Sequence, residues 1–220
     1  IDDSMPVYLP DLTHCGDFPP VGQALDEPDG LLCMGGDLSV TRLITAYQEG
    51  IFPWYNEAEP ILWWSPAQRM VLKPDAIHIS RSLAKAIRKN RPQYYINRDF
   101  ETVIKHCAHI TRKQPGRWIH DDMIEAYIDL FYAGEAFCIE VSINNQLAGG
   151  LYGVKTNTIY CGESMFSNQT NGSKFALVGL CAYLASQGIR YLDCQLYNPH
   201  LSSMGAGLIT RNEFILALQS

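Results

Sequence analysis

The run from Gln146 to Ser167, QLAGGLYGVKTNTIYCGESMFS, constrains the fold more than any other part of this chain. It reads as two short strands joined by a polar turn at Lys155 to Asn157. Gly149, Gly150, Gly153 and Gly162 stand where a side chain would obstruct something close to the backbone. Residues 136 to 143 read as a preceding strand and Asn144-Asn145 as a tight hairpin turn. Residues 146 to 154 and 158 to 162 are then the next two strands of a meander. A long helix is expected from near Ser173, burying Leu177, Val178, Cys181 and Leu184 and stopping at Gly188. It returns the chain to a short strand, Arg190 to Cys194, which a right-handed crossover lays parallel in the same sheet. Asp193 and Gln195 therefore fall at the carboxyl end of a strand that follows a crossover helix, where open α/β sheets bind ligands. Glu163, bracketed by Gly162 and Ser164, is either a solvated strand-end carboxylate or one buried and presented to a ligand.

The chain before residue 133 has a different character. Residues 1 to 36 are rich in Pro, Gly and Asp and read as irregular. Asp37 or Ser39 can cap a helix with Val40, Leu43, Ile44 and Tyr47 on its apolar stripe and Gly50 at its end. The segment IFPWYNEAEPILWWSP is aromatic and proline-punctuated, so Trp54, Trp63 and Trp64 are core residues or stacking platforms. A second helix begins near Ser80 with Leu83 and Ile87 inward. Its other face is nearly pure positive charge, from Arg81, Lys85, Arg88 and Lys89. A merely solvated face would interleave acids for i, i+4 pairing, and none are present, so this row is expected to follow phosphates. Asp99 caps a third helix, with Phe100, Val103, Ile104 and Cys107 inward. After the basic run TRKQPGRW, which ends at Trp118, a fourth carries Ile124, Tyr127, Ile128 and Phe131. The fold class expected is α+β: a basic, mainly helical part over 1–133, then a mixed sheet with a crossover helix over 134–220. A last helix is expected over Arg211 to Leu218.

Charge supports that division. The net charge is −6, yet residues 73 to 117 hold eleven Lys/Arg against three acids, leaving six against twenty elsewhere. A basic block inside an acidic protein points to a local polyanion site, with the acidic body suppressing indiscriminate binding. No run of about 18 apolar residues exists, and the N-terminal segment lacks the features of a signal peptide, so a cytoplasmic protein is expected. The seven cysteines include no C-x-x-C pair, which points to reduced thiols rather than a disulfide framework or zinc site. Neither a metal nor a cofactor is expected. Without a Ser-His-Asp set, P-loop or dinucleotide fingerprint, Glu163, Asp193 and Gln195 fit direct attack on a bound, already activated ester.

The runs GLLCMGGDLSVTRLITAYQEGIFPW, LWWSPAQRMVL, GGLYG, GESMFS and LDCQLYNPHLSSMGA, with the following Arg211 and Phe214, resemble those of the bacterial leucyl/phenylalanyl-tRNA-protein transferases. The resemblance covers the chain from about Gly30 onward. It implies a catalytic part with the fold of the GCN5-related acetyltransferases. The implied enzyme moves leucine or phenylalanine, with methionine a further candidate, from aminoacyl-tRNA to the N-terminal Arg or Lys of a protein, creating a degradation signal. It also implies catalytic roles for Asp193, Gln195 and Glu163, and an aminoacyl-adenosine site at Trp54 and Trp118. Leu151 and Met165 become the counterparts of its apolar pocket, and the helix bearing Arg81, Lys85, Arg88 and Lys89 becomes the acceptor-stem contact. The role expected of Gln195 is to hold the attacking amine through its amide oxygen. Asp193 is expected to orient Gln195 and share the developing positive charge, and Glu163 to bind the peptide's N-terminal end. The stretch Ala136 to Ser142 departs from the family's A-H-S-[VI]-E-V-W pattern, keeping Glu140. Three alternatives stand beside this reading. One is an acetyl-CoA-dependent N-acetyltransferase, for which Gln169 to Lys174 gives only the first half of the pyrophosphate loop. The others are a non-catalytic RNA-binding module and a cell-wall aminoacyl transferase.

Overall fold

Among the described residues, 8–13, 16–110 and 119–220, the computed structural model contains ten strands and seven α-helices. In chain order the strands are Leu31–Met34 (β1), Phe52–Pro53 (β2), Leu62–Trp64 (β3), Gln68–Leu72 (β4), Gln93–Ile96 (β5), Ala136–Ile143 (β6), Gln146–Lys155 (β7), Ile159–Ser167 (β8), Tyr191–Gln195 (β9) and Gly207–Thr210 (β10). The helices are Val40–Gln48 (α1), Arg81–Asn90 (α2), Phe100–His109 (α3), Asp121–Tyr132 (α4), Gly172–Ser186 (α5), Pro199–Ser203 (α6) and Arg211–Leu218 (α7). The expected N-caps are in place. Ser39, Ser80 and Asp99 each accept a backbone N–H three residues on, from Arg42, Leu83 and Thr102.

Asn144 and Asn145 both have positive φ, 52° and 62°, as a type I′ hairpin turn requires, and this turn sets the register between β6 and β7. The meander continues antiparallel into β8, and α5 then crosses over to place β9 parallel to β8, pairing Cys161 with Asp193. Seven strands form the main sheet in the order β10-β4-β9-β8-β7-β6-β5, and β1-β3-β2 form a smaller one. A shift in register between Tyr152 and Gly153 leaves Glu163 unpaired on β8, between Gly162 and Ser164. Such a bulge breaks the strict alternation of faces. Glu163 and the next inward residues therefore share the face that Cys161 and Phe166 pack against.

The sheet separates two apolar clusters. On one face α5 and α2 bury Leu83, Ile139, Leu151, Phe175, Leu180 and Leu184. On the other, α1, α3, α4, α7 and the small sheet enclose Leu43, Tyr47, Trp63, Val103, Tyr127, Phe166 and Phe214. The division expected near residue 133 does not separate two cores. β4 and β5 precede it yet lie within the main sheet, β4 between β10 and β9, and the second face's cluster draws on residues from Leu12 to Ala217. The part before 133 also contributes five strands rather than helices alone. No described helix is long and apolar enough to cross a membrane.

The glycines of β7 serve packing. A Cβ at Gly149 would strike the backbone of Gly172 at the start of α5, and one at Gly153 would strike the Cys161 carbonyl. What comes close to the backbone at these positions is the protein itself.

Candidate active site

Asp193, on the interior strand β9, is fully buried, and both of its oxygens are engaged. Arg69 of the neighbouring β4 grips it side-on: Nε donates to Oδ1 at 3.0 Å and Nη2 to Oδ2 at 2.8 Å. The third arm of the guanidinium, Nη1, donates to the Gly50 carbonyl at 2.8 Å, and the group lies over the rings of Phe52 and Phe214. Burial works against the charge on Arg69, and the Asp193 carboxylate more than offsets it, so the guanidinium is held above its ordinary pKa. A bidentate buried pair of this kind is rigid, because removing either member strands the other charge.

The same Asp193 Oδ1 accepts the backbone N–H of Gln195 at 2.8 Å. That bond closes a local side-chain turn over two residues and supports Gln195 in the left-handed region, φ 63°, which costs a non-glycine residue about 1 kcal/mol. Ending β9 this way turns the Gln195 side chain towards Glu163, and its Nε2 donates to Glu163 Oε1 at 2.9 Å. The amide is thereby oriented, and its own oxygen has no partner among the described residues.

Glu163 Oε1 also accepts from the Tyr47 hydroxyl at 2.7 Å, and the Tyr47 and Tyr127 hydroxyls are 2.6 Å apart. Tyr47 spends its one proton on the carboxylate, so Tyr127 donates to Tyr47 when Glu163 is ionised. Burial raises the pKa of Glu163 to about 7. The Asp193 charge adds to the rise, while the bonds from Tyr47 and Gln195 pull against it. Burial, then the Glu163 charge, pushes both tyrosines well above their ordinary value, which keeps them as donors. Cys161, beside the Arg69–Asp193 pair, is likewise pushed up, first by burial, so its thiol is protonated and not a nucleophile.

The three residues expected to carry chemistry are thus brought together, but not in the arrangement expected. Asp193 is fully buried and paired with Arg69, and it holds Gln195 through the backbone rather than through the side-chain amide. Sequence reasoning missed Arg69, Tyr47 and Tyr127 as members of the site. Arg69 sits in the quoted LWWSPAQRMVL run and Tyr47 on the expected helical stripe, where an aromatic reads as core.

The remaining expected residues are placed as follows. Trp54 is 44% exposed, edge-on to Trp64 at 5.7 Å, and its carbonyl accepts from the Trp64 indole. Trp118 lies outside the described residues. Leu151 and Met165 are cross-strand partners, packed in the α5-side cluster on the sheet face opposite Tyr47. Arg81, Lys85, Arg88 and Lys89 all project from the exposed face of α2, while Leu83 anchors it. In the segment that departs from the expected pattern, Glu140 is buried, accepting from Arg98 at 2.6 Å and from the Asp99 backbone at 2.9 Å. That pair ties β6 to the start of α3 and is remote in role from the amide. Among the described residues no group of three or more His, Cys, Asp or Glu could hold a metal ion.

The N-terminus of α5 bears on the acetyl-CoA alternative. The Ser173 backbone N–H is already taken by Ser167 Oγ at 2.8 Å, and that of Gly172 by the Gln169 carbonyl at 2.9 Å. These donors are turned inward and do not form an open cradle for pyrophosphate.

An oriented amide, a carboxylate held near neutrality and a buried ion pair meet at the carboxyl end of a parallel strand pair. The class to which the chain belongs is that of the acyltransferases. The chain belongs to the leucyl/phenylalanyl-tRNA protein transferase family: that family's model matches residues 71–219, and the model of its N-terminal domain matches residues 36–67. Curated relatives named leucyl/phenylalanyl-tRNA–protein transferase include one from Idiomarina loihiensis, 50% identical over 91% of this chain and 85% of its own length. Another from Chromobacterium violaceum is 48% identical over 92% and 87%, and one from Aliivibrio fischeri is 46% identical over 98% and 90%. Solved structures with a looser likeness include a GCN5-related N-acetyltransferase from Kribbella flavida, 6% identical with a TM-score of 0.38 over 74% of this chain and 58% of that one. A likeness that loose says nothing about chemistry. The two family models meet between residues 67 and 71, just where β4 enters the main sheet.

Proposed function

We propose that this protein transfers leucine or phenylalanine from aminoacyl-tRNA to the N-terminal Arg or Lys of a polypeptide in the cytoplasm, marking it for degradation. The observation that carries the reading is the Gln195 amide, held by Asp193 at its backbone and by Glu163 at its Nε2, with its oxygen left to accept a hydrogen bond. The chemistry needs little more than placement. An α-amino group of pKa about 7.7–8.0 is roughly a tenth to a fifth neutral at pH 7. Held about 3 Å from the ester carbonyl, it attacks with much of the entropic cost already met. The nitrogen bonds to the carbonyl carbon, the ribose oxygen of the tRNA departs, and the proton lost by the amine passes to that oxygen. Gln195 Oε1 accepts from the amine in this step and holds its lone pair on line. Glu163, ionised, draws the cationic end of the acceptor towards the amide, which suits an N-terminal Arg or Lys. Trp54 supplies an exposed ring for the terminal adenosine, with Trp118 as its proposed partner. Arg81, Lys85, Arg88 and Lys89 span about 12 Å along α2, enough to follow successive phosphates of an acceptor stem.

The test is incubation with radiolabelled leucyl-tRNA and a peptide beginning with Arg. Label on that peptide, absent when its amine is acetylated, is the expected result. Label arriving only from acetyl-CoA would overturn the reading.

A further inference from the structure

A cleft of about 680 Å³ opens beside α4. Its walls are the β2–β3 connection, with Tyr55, Glu57, Glu59 and Ile61, and the first turns of α4, with Asp121, Asp122, Glu125 and Asp129. Among the described residues six carboxylates line it and no Lys or Arg does. Asp122, Glu125 and Asp129 recur at the three- and four-residue spacing that puts them on one face of the helix. They are exposed and take part in no ion pair among the described residues. Helix N-termini favour acids, but that effect falls off within the first turn, and Glu125, Asp129, Glu57 and Glu59 lie beyond it. His120 gives an independent sign of a ligand. It is 5% exposed, packs edge-on against Tyr55 at 4.7 Å, lines the cleft, and its Nε2 is buried without a hydrogen-bond partner among the described residues. A buried ring nitrogen left unpaired is costly unless something arrives to bond it.

The chemistry of the lining selects the occupant. Carboxylates repel RNA phosphates, so aminoacyl-tRNA is excluded, and no three-ligand metal cluster is present among the described residues. A guanidinium or ammonium group fits: it satisfies several carboxylates at once and carries N–H donors for the unpartnered ring nitrogen of His120. The cleft and the acceptor site share α4. Tyr127, bonded to Tyr47 and through it to Glu163, is on α4 beside Ala126, which lines the cleft. A helix with its side chains is about 10–12 Å across, which about three or four residues of extended chain traverse. We infer that this acidic cleft binds basic side chains of the acceptor polypeptide downstream of its N-terminal residue, extending substrate selection beyond that residue. The inference rests on the function proposed above, because it takes the acceptor polypeptide as the second substrate.

The experiment compares two peptides that share an N-terminal Arg, one with Lys at positions three to five and one with Gln there, in steady-state transfer at low salt. With the native protein KM for the Lys peptide is expected to be lower by about tenfold, corresponding to two exposed ion pairs and their field. In the Asp122→Asn/Glu125→Gln variant that ratio is expected to fall to about one. Equal KM values in the native protein would overturn the inference. A ratio that persists in the variant would overturn it too. The absence of transfer to either peptide is a different outcome: it overturns the proposed function and this inference with it.

Discussion

Replacing Glu163 with Gln should stabilise the protein at alkaline pH and leave it nearly unchanged under acid conditions. In the folded chain Glu163 keeps its proton to about pH 7, against an ordinary value of 4.5. Between those values the folded state binds more protons than the unfolded one, so this residue's contribution to stability falls as pH rises through that window. At about 1.4 kcal/mol per pKa unit, ionising the buried carboxylate costs up to about 3 kcal/mol by pH 8. Glutamine has the shape of the protonated acid, and its carbonyl oxygen can still accept from Tyr47 and from Gln195. The variant therefore avoids the penalty without losing either bond. For a chain of this size about 3 kcal/mol corresponds to roughly 6–12 °C in Tm. Thermal melts of both proteins from pH 5 to pH 8 are the assay. Groups elsewhere titrate equally in both, so the difference isolates Glu163. Expected are curves that coincide near pH 5 and separate by several degrees at pH 8, the variant above. Curves that run parallel across the range would refute the claim that burial holds this carboxylate near neutrality.

Other outcomes follow from the same geometry. Arg69→Met strands Asp193 as an unmatched buried charge and should cost about 3–5 kcal/mol; adding Asp193→Leu should restore much of the Tm while transfer stays lost, and a single variant melting within 2 °C of native would contradict the buried pair. Neutralising Arg81 and Lys85 to Gln should weaken tRNA binding regardless of its sequence and lower the slope of log affinity against log salt by about one per residue; an unchanged slope removes α2 from the contact.

Much of the fold was legible because its signals are local. Paired Asn at a two-residue turn, Ser39, Ser80 and Asp99 before apolar stripes, and Gly188 after α5 each act within a few residues, and each is where the sequence places it. β4 and β10 were not legible. Residues Arg69 to Leu72 are all buried, so β4 lacks the alternation that marks a strand, and a charged residue within it reads as surface. β10 is the opposite case, a short edge strand with little burial to pattern it. Missing both hid the fact that the sheet draws on the whole chain, and with it Arg69. The site shows the same split. Glu163, Asp193 and Gln195 stand out because acids and amides at strand ends are unusual, and the resemblance to a known family gave them roles. What holds them could not be read: the Arg69–Asp193 pair spans 124 positions and the Tyr47–Glu163 bond 116. The bulge at Glu163 was equally invisible, since it depends on the register with β7. It puts the carboxylate on the face opposite Leu151 and Met165.

The central claim is that the Gln195 amide holds the attacking amine. Gln195 is partly exposed, and its backbone anchor to Asp193 does not involve the side chain. Gln195→Ala therefore removes the amide while leaving the buried pair intact. Single-turnover transfer of leucine from saturating leucyl-tRNA to an Arg-starting peptide, measured on a variant shown by its melt to be folded, is the direct measurement. A rate about a hundredfold below native is the expected result, the scale on which misplacing a reacting group acts. A rate within twofold of native would contradict the account.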